Sequence, residues 1–297
     1  MKRFKNILVV VADDVPSDSV FQWISCLSRH AEAEAVDFAV FTASPEEMAV
    51  ESEQAAAMRR EFMTELGQAC AGFLEDTRLN LLERTGETLP GVLEMLLPGT
   101  YDLVVVPVSG RRSRQLTERL ARKSPVGVLM VPETAVVPPR RVVAALDFSE
   151  LTGLVVDWAE AFATLHPDGA EKEAVHVVDP TIPGRATLVR EESKLLRDIR
   201  DTARWQLTEA LSQHAREGSS WKSLLLEGQL PGTALADHAA AEADLLVAGC
   251  HGRNALALAL MGSNTADLLR ESEKPVLVVK QKNRNLGFLR QLLGKEG

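Results

Sequence analysis

The chain has 297 residues, of which 45% are hydrophobic and 25% are charged, and its formal net charge is -9. This length suits two domains of ordinary size with a core each, and the composition is that of a folded globular protein. The acidic balance disfavours nucleic acid as a partner, because binding to phosphates needs clustered Lys and Arg. No apolar run approaches the roughly 20 residues that span a bilayer, so membrane insertion is not expected.

Three cysteines, Cys26, Cys70 and Cys250, are widely spaced and form neither a CxxC pair nor a metal-ligand pattern. An odd number of cysteines without such spacing favours a reducing compartment, and we expect a cytoplasmic protein. The N-terminal apolar run ends after Ala12 in two acidic residues. It is therefore interpreted as a first strand and not as a signal peptide.

The first half of the chain alternates apolar β-branched runs with helical stretches. Strands are predicted at 7–11, 37–42, 101–106 and 125–131, and the second half repeats the pattern at 141–146, 174–179, 243–248 and 275–279. The dipeptides Pro90-Gly91 and Pro231-Gly232 mark the same loop-to-helix step in both copies. The chain is therefore predicted to be a tandem repeat.

The predicted strands are apolar along their whole lengths, which indicates a parallel sheet covered by helices on both faces. We predict an α/β fold with two tandem, open, parallel five-stranded sheets of the Rossmann-like type. The domains are expected at 1–133 and 140–281, with a proline-bounded linker at 132–139. Ligands of such sheets bind at the carboxyl ends of the strands, where the strand order reverses.

Residues 282–297 form a predicted amphipathic tail. Its apolar residues fall on one side of a short helix: Leu286, Phe288, Leu289, Leu292 and Leu293. We expect this tail to fold back onto the second domain, and docking of a protein partner is the alternative.

A glycine-rich loop follows the fourth strand of the second half, with the spacing Gly249-x2-Gly252-x9-Gly262-Ser263. Glycine lets backbone N–H groups approach phosphate oxygens, and Ser adds a hydroxyl donor. A helix predicted to begin near Ser263 contributes unpaired amides and a favourable dipole. The loop therefore predicts an anion-binding cradle, and a tight loop with a glycine cap is the structural alternative.

With this loop, the chain resembles the universal stress protein family over nearly its whole length, as two tandem copies. The resemblance is carried by the loop, by Asp147 in ALDFSE, by HVVD at 176–179 and by PVLVV at 275–279. Glycines at this spacing are typical of the ATP-binding branch, which implies ATP, or else ADP or AMP, with Mg bound only through the phosphates. The implied nucleotide-binding residues are Asp147 at the adenosine, the Val177 backbone at the adenine edge, Ala248 under the base, and Gly249, Gly252, Gly262, Ser263 and Asn264 at the phosphates.

The first copy departs from this pattern. Aligning the fourth strands places Pro107 opposite Gly249 and Gly110 opposite Gly252, and the Gly-Ser pair is missing. Either Ala12 or Asp13 faces Asp147, depending on the register. Proline has no N–H to donate to a phosphate, so the first copy is not expected to bind nucleotide.

Single-domain members of the family pair through their fifth strands. The resemblance therefore implies an intramolecular pseudo-dimer that joins 126–131 with 276–279, and a homodimer of the whole chain is a further alternative. Such pairing would also remove two exposed sheet edges.

Three classes of function stay open. The first, which we predict, is a nucleotide-sensing regulator of a stress response with an unidentified protein partner. The second is a slow ATPase or phosphotransfer enzyme with Ser263 or Thr265 as a possible acceptor. The third is an interaction module that docks through the tail.

Two observations bear on individual side chains. Asp147 could cap the following helix through Ser149 and Glu150, alone or together with ligand binding. Cys250 and His251 are adjacent, and such neighbours are not expected to face each other; no third orienting group is visible in the sequence. No catalytic residue is therefore assigned, and no metal site is expected from the protein alone.

Overall fold

The computed structural model of the protein describes residues 4–12, 14–42, 53–73, 78–179, 189–251, 261–282 and 286–294. The chain divides into two units, Met1–Pro138 together with Gln281–Gly297, and Pro139–Lys280. No helix among the described residues is long and apolar enough to cross a membrane.

The first unit alternates strands and helices, and a short helix from the C-terminal tail completes it. Its elements are β1 Asn6–Val11, α1 Asp18–Ala31, β2 Ala35–Thr42, α2 Glu53–Phe73, β3 Arg78–Thr85, α3 Thr88–Leu96, β4 Leu103–Val108, α4 Arg111–Lys123, β5 Gly127–Pro132 and, in the tail, α9 Leu286–Leu292.

The tail belongs to the first unit, so the expectation that it folds back onto the second domain is wrong. A contact within the first unit supports this assignment. The Lys282 ammonium pairs with the carboxylate of Asp102, which precedes β4. Leu289 is completely buried, as expected for the apolar side of the helix. The predicted apolar residues Phe288 and Leu292 have side chains outside the described part of the chain.

The second unit repeats the same alternation. Its elements are β6 Arg141–Ala145, α5 Thr152–Ala163, β7 Glu171–Val178, α6 Val189–His214, β8 Lys222–Glu227, α7 Pro231–Glu242, β9 Leu245–Gly249, α8 Ser263–Glu271 and β10 Val276–Val279.

Strand order is the same in both units, namely β3-β2-β1-β4-β5 in the first and β8-β7-β6-β9-β10 in the second. The pairings described within each unit are parallel. Residues 7–10 of β1 and 276–279 of β10 are completely buried, which is why continuous apolar runs identified them. The predicted α/β fold is confirmed, and the order reverses between β1 and β4 and between β6 and β9.

The shared Pro-Gly steps lie in the first turns of α3 and α7, and both glycines are needed for close packing. A Cβ added at Gly232 would lie 2.5 Å from the backbone oxygen of Asn264, so the glycine lets α7 approach the start of α8. In the first unit a side chain at Gly91 would collide with the ring of Phe41.

Candidate functional site

A cavity of about 690 Å³ opens at the carboxyl ends of β6, β7 and β9, where the strand order of the second unit reverses. Such a position is the usual ligand site of an open α/β sheet. Seven of the eight predicted site residues line it: Asp147, Val177, Ala248, Gly249, Gly262, Ser263 and Asn264. The eighth, Gly252, lies outside the described residues.

Asp147 is held by the turn that follows β6. The amide of Ser149 donates a hydrogen bond to Asp147 Oδ1 at 3.0 Å, and the amide of Leu151 donates to Ser149 Oγ at 3.3 Å. Phe148, between them, has a φ of 57°, a conformation that costs energy for a bulky residue. The foreseen contact with Ser149 is present, but it closes a turn and does not cap α5, whose N-cap residue is Leu151 without a side-chain cap. The turn fixes the Asp147 carboxylate at the cavity wall.

His176 also lines the cavity, and the sequence did not single it out as a contact residue. Its Nδ1 lies 2.6 Å from the carbonyl oxygen of Leu146. Because a carbonyl only accepts hydrogen bonds, Nδ1 carries the hydrogen. The imidazole packs against the ring of Phe148 with 4.4 Å between centroids. The strained turn after β6 and the end of β7 are thereby joined.

The backbone of Val177 faces the cavity because of the way β7 pairs. The carbonyl of Val175 accepts a hydrogen bond from Leu146 on the β6 side, and the carbonyl of Val178 accepts one from Gly228 on the β8 side. Residues two apart in a strand direct their backbone groups to the same side, so Val177 faces β6. Since β6 ends at Ala145, the N–H and C=O of Val177 face the space beyond it.

The start of α8 forms another wall of the cavity. Gly262 is the N-cap residue, and its carbonyl accepts the first helical hydrogen bond from Ala266 at 3.1 Å. Within the described part of the chain no acceptor is recorded for the amides of Ser263, Asn264 and Thr265, the first three of the helix. Gly262 itself donates its N–H to the carbonyl of Cys250 at 3.0 Å. Its amide is therefore engaged, and Gly262 can favour a ligand only by lacking a side chain.

Two contacts fix the end of β9. The Thr265 hydroxyl donates to the carbonyl of Gly249 at 2.8 Å. A Cβ at Gly249 would lie 3.2 Å from Leu151 Cδ1, so a side chain there would need Leu151 to shift by a few tenths of an ångström. Thr265 was named from the sequence only as a possible phosphate acceptor, whereas its hydroxyl holds the loop.

Cys250 and His251 face each other, contrary to expectation. Cys250 Sγ lies 2.9 Å from His251 Nδ1, and His251 Nε2 lies 3.1 Å from Glu150 Oε1. The carboxylate of Glu150 is the third, orienting group, and it comes from the loop after β6, 101 residues before His251. Sequence adjacency alone could not reveal it. Among the described residues, these three included, no group of three or more His, Cys, Asp or Glu side chains could hold a metal ion.

The equivalent position in the first unit is built differently. Ile7 pairs with Leu103 as Val142 pairs with Leu245, and Ile7 pairs with Val36 as Val142 pairs with Lys172. Continuing these registers matches Ala12 to Asp147, Phe41 to Val177 and Pro107 to Gly249. The register therefore selects Ala12, whereas Asp13 lies outside the described residues. The carboxylate of Asp147 is thus replaced by an alanine. The aromatic ring of Phe41 stands in place of Val177, and a proline stands in place of Gly249.

Residues 139–280 match the model of the Universal stress protein family. The second unit is thus a universal stress protein domain. A universal stress protein of Methanocaldococcus jannaschii is 27% identical over 159 residues, which cover 48% of this chain and 96% of that protein.

Solved structures resemble the chain along nearly its whole length. A functionally unknown protein from Pseudomonas aeruginosa has a TM-score of 0.67 at 17% identity, covering 99% of this chain and 98% of its own. A universal stress protein from Archaeoglobus fulgidus has a TM-score of 0.60 at 15% identity, covering 94% and 98%. At these identities the likeness establishes the fold, which is shared along both units.

Proposed function

We propose that the second unit binds an adenine nucleotide, with ATP as the first candidate. The protein is then a tandem universal stress protein that acts as a regulator, because occupancy of the cavity changes its conformation or its protein partners. One observation carries this proposal: residues chosen from the sequence as a nucleotide site line a single cavity at the reversal of strand order. A cytoplasmic location and pairing of the two fifth strands remain predictions.

Support for an adenosine subsite comes from the two strand ends β6 and β7. The outward-facing N–H and C=O of Val177 form a donor and acceptor pair, as the edge of an adenine ring requires. Asp147 can accept a hydrogen bond from a ribose hydroxyl while one of its oxygens still accepts from Ser149. Ala248, a small buried residue, leaves room for a flat base above β9.

Support for a phosphate subsite comes from α8. The amides of Ser263, Asn264 and Thr265 and the helix dipole favour an anion at the cavity wall. Gly262, with φ -62° and ψ 147°, places no side chain in front of them. These residues fit a phosphate, whose negative oxygens would complete the hydrogen bonding of the helix start.

We propose slow turnover rather than kinase-like catalysis. Rapid phosphoryl transfer needs a positioned nucleophile and groups that hold a metal at the phosphates. Thr265 is engaged with Gly249, which leaves Ser263 as the hydroxyl of the loop that could accept a phosphoryl group. The carboxylate of Asp147 lines the cavity, but we propose that it binds the ribose and does not hold a metal at the phosphates.

The decisive experiment is mass spectrometry of small molecules released from freshly purified protein, followed by calorimetric titration of the stripped protein with ATP, ADP and AMP. We expect one adenine nucleotide to be released and to rebind. Absence of binding by all three would reject the proposal. Phosphate release at about 1 to 100 per second, abolished by Ser263→Ala, would replace the regulator by an enzyme.

A further inference from the structure

The contact between Cys250 and His251 has a defined hydrogen position. A carboxylate only accepts hydrogen bonds, so His251 Nε2, 3.1 Å from Glu150 Oε1, carries a hydrogen. In the neutral imidazole Nδ1 is then the acceptor. It lies 2.9 Å from Cys250 Sγ, where it can take the thiol proton. The order thiol, imidazole, carboxylate is that of a nucleophile, its base and the group that orients the base.

We propose that Cys250 is a peroxide-reactive thiol, with His251 as its general base and Glu150 as the positioning residue for His251. Transfer of the thiol proton to Nδ1 produces a thiolate facing an imidazolium. Glu150 stabilises the imidazolium from the other side, although its side chain is 54% exposed and its contribution is correspondingly small. The imidazole itself is only 11% exposed, so its hydrogen bonds are largely shielded from water.

A second cation interacts with the same sulfur. Lys280, directly after β10, is buried, and burial lowers the pKa of its ammonium to about 8. Cys250 acts in the opposite direction and raises that pKa, as a negative sulfur does for a nearby ammonium. Titratable groups facing Cys250 thus include Lys280 and His251, and Glu150 lies behind His251. The charge of Lys280 therefore acts on this sulfur in the same sense as an imidazolium at His251 would.

The other two cysteines provide the contrast. Burial raises the pKa of the Cys70 thiol to about 12. Burial also raises the pKa of Cys26, and the charge of Arg29 offsets this only in part. Both remain thiols at neutral pH and should react slowly, since the thiolate is the nucleophile. These residues are internal controls for Cys250.

The burial of Cys250 limits which reagents can reach it. Cys250 is 6% exposed, so a bulky disulfide has poor access, whereas hydrogen peroxide is close to water in size. The thiolate attacks one peroxide oxygen, an S–O bond forms and the O–O bond breaks. The sulfur is oxidised to a sulfenic acid, and the peroxide is reduced. The departing hydroxide takes the proton from His251 and leaves as water, which restores the neutral imidazole.

The site adjoins the proposed nucleotide loop but does not depend on it. Cys250 follows Gly249 directly, and its carbonyl accepts the Gly262 amide. The thiol chemistry rests on Cys250, His251 and Glu150, none of which lines the cavity. Loss of nucleotide binding would leave the inference intact.

Full-length protein is exposed to graded hydrogen peroxide with dimedone as the sulfenic acid trap, and labelling of each cysteine is followed by peptide mass spectrometry. Cys250 should label at least about tenfold faster than Cys26 or Cys70. His251→Gln should reduce its rate by about tenfold or more. Cys26→Ser and Cys70→Ser should leave the rate unchanged. Labelling of Cys250 no faster than that of Cys70 would overturn the proposal.

A second measurement separates chemistry from folding. The ultraviolet absorbance of the thiolate, followed against pH in a variant that retains only Cys250, should titrate at lower pH than in the same variant with Glu150→Gln or His251→Gln. Glu150 is exposed, so Glu150→Gln should fold even if His251→Gln does not. An unchanged titration in a folded Glu150→Gln protein would show that Glu150 does not position the base, and the triad would be rejected.

Discussion

The side-chain hydroxyl of Thr265, in the first turn of α8, donates a hydrogen bond to the carbonyl oxygen of Gly249, the last residue of β9. The bond closes the two ends of the glycine-rich loop at 2.8 Å. Thr265 is buried, so water cannot readily replace the bond. The helix start and the strand end that border the proposed phosphate subsite are therefore held at a fixed distance.

Thr265→Val should weaken both the fold and the proposed site. The change keeps the side-chain shape but removes the hydroxyl that bonds the part-buried carbonyl of Gly249, which should lower the free energy of unfolding by about 1 to 2 kcal/mol. Urea denaturation measures this loss, and calorimetry should show weaker ATP binding. Thr265→Ser retains the hydroxyl and is the control. Equal behaviour of the valine variant and the wild type would show that the bond does not hold the loop.

Gly262→Val should impair ATP binding, whereas Gly249→Val should impair the stability of the fold. Gly262 has a φ and ψ that valine adopts freely, so Gly262→Val should cost only about 1 kcal/mol as a poorer N-cap, yet abolish ATP binding sterically. At Gly249 an added Cβ meets Leu151 at 3.2 Å, so Gly249→Val should destabilise the fold itself. Thermal melts and calorimetry distinguish the two. Undiminished ATP affinity in Gly262→Val would remove α8 from the proposed site.

One nucleotide should bind per chain. In the first unit Phe41 and Pro107 occupy the positions of Val177 and Gly249, and the ring of Phe41 lies against Gly91. That ring takes space at the strand end, and proline offers no amide. Equilibrium dialysis with labelled ATP, well above the dissociation constant, should give a ratio near one. A ratio near two would mean that the first unit binds despite these replacements.

Much of this arrangement was predictable because local signals determined it. The strands were recognised because residues such as Ile7 and Val276 are buried in continuous apolar runs. Gly262 was chosen from the glycine spacing before a helix start, and Asp147 from the family resemblance together with its place at a strand end. Both signals depend on near neighbours along the chain.

Other features depend on distant contacts and left no such mark. Glu150 meets His251 only after β6 and β9 have paired side by side, so the thiol site could not be predicted from the pair Cys250-His251. The tail showed an amphipathic pattern, but amphipathicity does not identify the surface that covers it. Lys282 and Leu289 proved to belong with the first unit.

Acid should weaken the second unit partly through Glu160. Burial raises the pKa of this carboxyl, but hydrogen bonds from Ser219, the Arg216 amide and Trp221, together with the Arg216 charge, outweigh burial and hold the pKa below its ordinary 4.5. A lowered folded-state pKa means stability that is present above the ordinary pKa and lost as pH falls through the folded value. Glu160→Gln should therefore cost about 1 to 3 kcal/mol at pH 7 and progressively less below about pH 4.

Urea denaturation of the wild type and Glu160→Gln, at pH 7 and again below about pH 4, measures this difference in stability. Glu171→Gln is the matched control, because Glu171 also pairs with a cation, Lys222, but is exposed and should contribute no measurable stability. A Glu160→Gln deficit that stays constant with pH would show that the ionised carboxylate is not the stabilising form.

ATP should protect the second unit selectively against hydrogen exchange in the full-length chain. A ligand that binds only the folded state adds RT ln(1 + [L]/Kd), about 2.7 kcal/mol at a hundredfold excess over Kd. Amides of β9 and α8 that exchange through unfolding should then slow by up to about a hundredfold. Amides of β1 and β4 in the first unit have no such ligand and should keep their rates.

The control is Gly262→Val with the same ATP and Mg, in which the protection of β9 and α8 should disappear. Protection of both units in the wild type but of neither in this variant would mean that the units unfold together and that one site stabilises the whole chain. Protection confined to the first unit would show that the nucleotide binds there and that the second unit was proposed wrongly. Protection in neither unit would reject nucleotide binding.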